Sequence, residues 1–362
     1  MDKLRSLPEG ESPRIMVTGA AGFVGRHLVE ALLRHLPDGG KVIACSRVNN
    51  DGTLPDATPD AVSGAVDSVQ LDIADGDRID EVVRQVLPTH IVHLAGVSTL
   101  AAVASAPDRA WQINLFGTLR LAEALARHRP GGCFLFVGSS EVYGRAFQGG
   151  RAVDETTLPD PTNLYSCTKI AADLAVGQLA SDRLRVVRAR PFNHIGPGQR
   201  EDFAVSAFAA QIARIERGLQ PPIMRVGNLE SERDFLDARD VADAYCRIVD
   251  RAGQLPNGIV LNVASGVPRS IRSVLDDLLG MARIPIEVAT DETRMRPSET
   301  PLVLGNANRA RELLGWAPTH AWTDTIGDIL EYWRRRVGNP ACDPARDPGA
   351  ASSALSPLVR AR

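Results

Sequence analysis

The stretch Thr18–Gly25, "TGAAGFVG", follows the apolar run Ile15–Val17 and runs into "FVGRHLVEALLRHL" (Phe23–Leu36), whose apolar residues recur with helical spacing. Glycines at positions 19, 22 and 25 allow a tight turn, let backbone amides approach a pyrophosphate, and let helix pack closely on strand. The helix N-terminus then directs N–H groups at negative charge. Strand, glycine turn and helix in this order predict a dinucleotide site with Gly19, Gly22, Phe23, Val24 and Gly25 in its first turn.

Further along, short apolar runs alternate with helix-length segments. "KVIACSR" (Lys41–Arg47), "HIVHLAG" (His90–Gly96), "CFLFVGSS" (Cys133–Ser140) and "LRVVRAR" (Leu184–Arg190) read as buried strands. Helical patterns run from about Pro107 to His128 and from Tyr165 to Leu179. Such alternation needs crossover connections, so the expected fold is α/β: a Rossmann-type, doubly wound parallel sheet covered on both faces. After Pro191 the chain turns rich in Pro and Gly ("PFNHIGPGQ", "GLQPPIM", "MRPSETP"), as expected of a smaller C-terminal α/β lobe with ligand-holding loops. "ARDVADAYCRIVDRA" and "GIVLNVASG" (Ala238–Gly266) then read as a helix and strand rejoining the main sheet. The expected organisation is a flexible leader, 1–13; a cofactor domain, 14–190 with 236–263; a substrate lobe, 191–235 with 264–337; and a disordered tail, 338–362.

The 362 residues are 44% hydrophobic and 23% charged, ordinary for a globular chain. A net charge of -3 gives no reason to expect nucleic acid or an anionic membrane as partner. No apolar run reaches membrane-span length, and "MDKLRSLPEGESPR" lacks a signal-peptide core. The five cysteines show neither pairing nor metal-ligand spacing, so free thiols in a reducing cytoplasm are expected, and no metal site. Of the 41 basic residues only Lys3, Lys41 and Lys169 are lysines. A lysine at a suggestive place therefore carries extra weight.

The end of the second strand bears on the choice of cofactor. A site for NAD usually places Asp or Glu there to hold the ribose hydroxyls. This chain has Ser46 and Arg47, a hydroxyl and a guanidinium that suit a 2′-phosphate, so NADP(H) is expected. The other reading of Arg47 is a solvated surface arginine. Asp72 and Ile73 are candidates to border the adenine, and Leu94, Ala95 and Gly96 to line the cofactor.

"YSCTK" sets Tyr165 and Lys169 four apart on one helical face. A phenol exchanges protons poorly at neutral pH unless its anion is stabilised, and an adjacent ammonium does that. Lys169 can also hold the nicotinamide ribose. Ser139, at the C-terminal end of a parallel strand where ligands bind in such sheets, can hydrogen-bond the oxygen that Tyr165 protonates.

In this order and spacing "TGAAGFVG", "HLAG", "SSEVYG" and "YSCTK" resemble the extended short-chain dehydrogenase/reductases acting on nucleotide-sugars, and the similarity spans about Arg14 to Arg336. The resemblance implies a Rossmann domain with a small substrate lobe, and a homodimer packed through the two long helices near Trp111–His128 and Tyr165–Leu179. "RPFNHIGPGQ", "VGNLESERDFLDARDVADAY", "RPSETP" and "GWAP" are similar to GDP-4-keto-6-deoxy-mannose reductases and the related GDP-mannose 4,6-dehydratases. That implies a GDP-sugar substrate: Asn193 at the sugar diphosphate, Val226 and Asn228 near the guanine, Arg233 and Arg296 on the phosphates, Glu299 on the ribose, and Ser140 at the sugar.

Glu141 separates two activities. In the related dehydratases a glutamate of a Thr-x-Glu sequence removes the C5 proton; here Ser139 stands in the threonine's place, which favours reduction and makes Glu141 a polar wall of the pocket. The expected reaction is NADPH-dependent reduction of the C4 ketone of a GDP-4-keto-6-deoxy-hexose, with a GDP-rhamnose-type product. The alternatives are a 4,6-dehydratase with Glu141 as base, a 4-epimerase recycling its NADP, and an NADP(H)-sensing protein without turnover. A sensor has no need of Tyr165 and Lys169.

Overall fold

The computed structural model describes residues 12–48, 65–294 and 300–338. The proposed leader (apart from Ser12 and Pro13), the proposed tail beyond Gly338, and both Arg296 and Glu299 lie outside the described residues.

Thirteen strands are described: β1 (Arg14–Thr18), β2 (Lys41–Ser46), β3 (Val66–Gln70), β4 (His90–His93), β5 (Gly132–Val137), β6 (Leu184–Pro191), β7 (Asn193–Ile195), β8 (Ile223–Val226), β9 (Glu232–Asp237), β10 (Ile259–Val263), β11 (Pro268–Ser270), β12 (Glu287–Thr290) and β13 (Leu302–Val303). The α-helices are α1 (Phe23–His35), α2 (Gly76–Val86), α3 (Leu100–Ser105), α4 (Pro107–Trp111), α5 (Thr118–His128), α6 (Leu164–Gln178), α7 (Ala204–Glu216), α8 (Ala238–Arg251), α9 (Ile271–Gly280), α10 (Asn308–Leu314) and α11 (Trp322–Gly338).

Seven strands form one sheet in the order β10-β6-β5-β4-β1-β2-β3, every pair parallel. Strands β1, β2 and β4 are buried on both faces because helices cover both, and two buried clusters result. One holds Ile15, Leu28, Val241 and Tyr245; the other holds Met16, Ile79, Leu121 and Phe134. The strand order reverses between β1 and β4, and the crevice outside their carboxyl ends is where such sheets bind ligands. β10 joins the sheet beside β6, as its apolar sequence predicts.

The helical stretch expected from Pro107 to His128 is α4, a single π-turn over Gln112–Gly117, and α5 in continuous succession. Gly117 explains why no larger residue fits there: a Cβ would lie 2.3 Å from the Ile73 carbonyl oxygen. β3 and α2 were not foreseen. β3, "VDSVQ", has no fully buried residue because it is the sheet's edge.

The remaining strands build a smaller unit. β9 pairs with β7, β11 and β13, while β8 pairs with β12. Phe208, Ile212, Met224, Leu275, Ile329 and Trp333 form its separate core. β9 is anchored by Asp234, fully buried, which accepts bonds from the Ser265, Gly266 and Gly305 amides.

Candidate active site

The glycine turn has the geometry its sequence requires. Gly19 adopts φ +71°, and a Cβ on it would stand 2.9 Å from the Ala95 amide nitrogen. The Gly22 amide bonds the Gly19 carbonyl at 2.9 Å. A Cβ on Gly25 would lie 2.2 Å from that same oxygen, so α1 is packed against the turn as closely as glycine allows. This is a cradle that side chains would fill, and it fits a pyrophosphate. Ser46 closes it from β2: its Oγ accepts from the Ala21 amide at 3.1 Å. Arg47 follows, exposed at the rim. Val24 packs on the core below, while the Phe23 ring stacks on His194 with centroids 6.1 Å apart, joining the turn to β7.

From β4 the chain returns against the turn. Leu94 and Ala95 amides bond the Thr18 carbonyl and hydroxyl, each at 3.2 Å. Beneath them His93 spans Thr18 Oγ1 (2.7 Å) and Thr118 Oγ1 (2.9 Å). Burial and the charge of Lys169 push its imidazole down to about 3, so it is neutral. Gly96 abuts Asn114, whose Oδ1 would be 3.0 Å from a Cβ there. Asp72 spends one carboxylate oxygen on the Ala74 amide (2.9 Å), and the other faces Arg109 at 3.7 Å. The Ile73 side chain belongs to the core.

Tyr165 and Lys169 project from α6, whose N-terminus is fixed by an Asn163–Ser166 capping box. The Tyr165 phenol is hydrogen-bonded to Ser139; burial, with the Glu141 charge adding to it, pushes the phenol up to about 12. It is therefore a protonated group at neutral pH. Lys169 is almost fully buried, its Nζ donating to the Val137 carbonyl at 2.7 Å and lying 5.0 Å from the Phe136 ring centroid. Burial brings its ammonium down to about 8, opposed by the charge of Asp173. Ser139 also caps the turn of helix that begins at Ser140, accepting from the Glu141 amide at 3.2 Å. The Ser140 side chain is buried.

Glu141 links the two units. Its charge acts on Tyr165 on one side and on Arg233 on the other, supporting a guanidinium whose value burial lowers. Arg233 Nη1 donates to the Glu232 and Thr300 carbonyls at 2.8 and 3.1 Å. Asn193, half-buried on β7, pairs in register with Phe235 of the strand that carries Arg233. The Asn228 carboxamide accepts from the Glu230 amide at 2.9 Å. Val226 turns its side chain into the lobe core, pairs in register with Thr290 of β12, and accepts from the Asp291 amide at 2.8 Å.

Sequence reasoning missed Asn114. From the π-turn it accepts from the Val97 amide (2.8 Å) and donates to the Val97 carbonyl (3.1 Å) and Thr168 Oγ1 (2.9 Å); Thr168 in turn donates to the Tyr165 carbonyl at 2.8 Å. The only signal was an amide side chain inside an apolar helical run. Four described cysteines, Cys45, Cys133, Cys167 and Cys246, are free, and no group of metal-ligating side chains occurs among the described residues. No described helix is long and apolar enough to cross a membrane.

Comparison with known proteins gives the family of the chain. The family model described as GDP-mannose 4,6 dehydratase matches residues 16–329. A GDP-6-deoxy-D-mannose reductase of Pseudomonas aeruginosa is 36% identical over 326 residues, 90% of this chain and 98% of that protein. A GDP-6-deoxy-D-talose 4-dehydrogenase of Aggregatibacter actinomycetemcomitans is 24% identical over 90% of this chain and 98% of its own. Among solved structures, RMD from Pseudomonas aeruginosa complexed with NADPH superposes with a TM-score of 0.75 at 32% identity, covering 90% of this chain and 100% of that one. The chain belongs to the GDP-mannose 4,6-dehydratase family, within the extended short-chain dehydrogenase/reductases.

Proposed function

We propose that this protein is an NADPH-dependent reductase acting on the C4 ketone of a GDP-4-keto-6-deoxy-hexose, giving a GDP-rhamnose-type product. The observation that carries the reading is the protonated Tyr165 phenol, hydrogen-bonded to Ser139 with Lys169 one helical turn away. The likeness to a GDP-6-deoxy-D-mannose reductase along nearly that protein's whole length, and to a structure holding NADPH, supports the choice of substrate and cofactor.

NADPH, when bound, supplies the hydride to C4. The chain's own residues handle the proton. Tyr165 gives its phenolic proton to the C4 oxygen, so the carbonyl becomes a hydroxyl. Lys169 steadies the tyrosinate left behind until solvent reprotonates it, and Ser139 holds the oxygen in line. The turn at Gly19, Gly22 and Gly25 would cradle the pyrophosphate, with Ser46 and Arg47 at the 2′-phosphate and Leu94–Gly96 along the dinucleotide. Arg233, with Asn193, would clamp the sugar diphosphate. Glu141 would form a polar wall of the sugar pocket.

The division into a cofactor domain (14–190 with 236–263) and a substrate lobe (191–235 with 264–337) is part of this reading, supported by the separate core of the lobe. So is a homodimer through the long helices: Phe116 on the π-turn and Leu174 on α6 are large apolar side chains about half exposed (45% and 55%). Free thiols, three of the four described ones buried, support a cytoplasmic location.

A 4,6-dehydratase is the second reading, because the Glu141 charge reaches the proton-transfer site. The test is to follow NADPH absorbance with GDP-4-keto-6-deoxy-mannose, running GDP-mannose without NADPH in parallel. Oxidation of NADPH with the keto sugar, and unchanged GDP-mannose, is the expected result. Conversion of GDP-mannose to a keto sugar without net cofactor use would overturn it.

A further inference from the structure

The helix that carries Tyr165 and Lys169 bears a further charge which the reaction above does not use. Asp173, one turn beyond Lys169 on α6, is completely buried. Arg190 of β6 grips its carboxylate with Nε and Nη2, both at 3.0 Å, and Arg188 Nη1 adds a third bond at 2.9 Å. Apolar side chains of similar volume stabilise an interior as well as such a cluster or better, so packing alone does not account for it.

The carboxylate faces the site on two sides. Toward Lys169, its charge opposes the effect of burial on the ammonium. Toward the segment bearing Ser139, a Cβ on Gly138 would lie 3.6 Å from Asp173 Oδ2, and the Gly138 amide is bonded to the Ala189 carbonyl at 2.8 Å. Arg190 then extends the cluster: its Nη1 donates to the Tyr143 hydroxyl at 3.1 Å, and that hydroxyl donates to Asn262 Oδ1 at 2.8 Å. Tyr143 is fully buried two residues after Glu141. The segment from Gly138 to Tyr143 is thus bonded at its start to Ala189 of β6, with the Asp173 carboxylate packed beside Gly138, and at its end to Arg190, the arginine that grips that carboxylate.

We propose that Asp173 is a positioning residue for the proton transfer, keeping the Lys169 ammonium charged and the Ser139–Glu141 segment in register with Tyr165. The inference rests on the reductase reading. The groups facing Lys169 are Asp173 on its own helix, His93 from β4, and the Val137 carbonyl and Phe136 ring from β5, with Arg188 and Arg190 of β6 behind Asp173. Removing the one anion of this set leaves only neutral and positive neighbours.

Three lysines make the test direct, since lysine-labelled protein gives three Nζ-adjacent signals in an NMR titration. In Asp173→Asn the Lys169 midpoint is expected to fall by about one pH unit or more, a tenfold change in proton affinity, and the alkaline limb of kcat/KM to move with it. An unchanged midpoint in folded Asp173→Asn would overturn the proposal whatever happens to kcat. Should that variant fail to fold, Tyr143→Phe keeps all the charges and removes the hydroxyl that links Arg190 to the 139–143 segment, together with its bond to Asn262. It is expected to lower kcat about tenfold with the Lys169 midpoint in place, on the scale of one lost positioning bond; wild-type kcat would overturn the proposal. A wild-type protein that ignores the keto sugar would sink the reductase reading alone, because the two NMR midpoints still decide what Asp173 does to Lys169.

Discussion

Lys169 Nζ donates a 2.7 Å hydrogen bond to the Val137 carbonyl, two residues before Ser139. The bond ties α6 to the end of β5, so Lys169 and the Ser139 hydroxyl are set relative to each other by one contact. Burial costs the ammonium its solvation and brings it down to about 8. The sign follows: Lys169 is charged below that value and loses its charge as the pH rises through it. The turnover rate should therefore fall above about pH 8, on a single-group limb. A profile flat from pH 7 to 10 in Lys169-intact enzyme would contradict this.

Tyr165→Phe removes the proposed proton donor and leaves the ring in place. We expect kcat to drop by about 10²–10⁴-fold, the range of general acid catalysis, while NADPH affinity measured by fluorescence stays close to wild type. Full activity in this variant, with the cofactor bound, would place the proton source elsewhere.

Glu141→Gln tests whether the carboxylate reacts or only lines the pocket. Glu141 raises the proton affinity of Tyr165, so a neutral amide should bring the phenol down from about 12. Ketone reduction should persist, changed by no more than roughly fivefold, because less than about 1 kcal/mol of proton-transfer driving force is altered. Loss of activity by several orders of magnitude would show that Glu141 takes part in the chemistry.

Arg47→Ala should selectively weaken NADPH. A charge-assisted bond to the 2′-phosphate contributes about 1.5–3 kcal/mol, so Kd should rise roughly 10–100-fold while NADH affinity is unaffected. Titration of both cofactors against the variant decides it. Equal effects on the two would mean that Arg47 is a solvated surface side chain.

Gly25→Ala is a packing test. Its methyl group would press within 2.2 Å of the Gly19 carbonyl and 2.5 Å of the Ala20 carbonyl, both backbone atoms with little room to yield. A loss of about 1–3 kcal/mol in stability is expected, read as a lower Tm, with NADPH binding lost as the turn deforms. An unchanged Tm with normal NADPH binding would show that the turn can open.

What the sequence determined by itself was mostly local. "TGAAGFVG" between an apolar run and a helical pattern specified the turn, because glycine adopts φ +71° at residue 19 without strain and leaves room for the backbone approach at residue 25. The four-residue spacing of Tyr165 and Lys169 likewise follows from helix periodicity, and continuous apolar strands announced a sheet covered on both faces. Even the return of β10 to the sheet was legible from its composition.

Tertiary structure alone decided which distant residues meet. Nothing in "SSEVYG" says that Glu141 faces Arg233, 92 positions on, or that Ser139 meets the Tyr165 phenol. Edge strand β3 was hidden because exposed strands lack an apolar signature. Asn114, Asp173 and Arg190 read as ordinary polar side chains in helix and strand. Burial turns them into a hydrogen-bonded frame, and burial is a property of the packed whole: a polar group taken out of water must find partners wherever the fold supplies them.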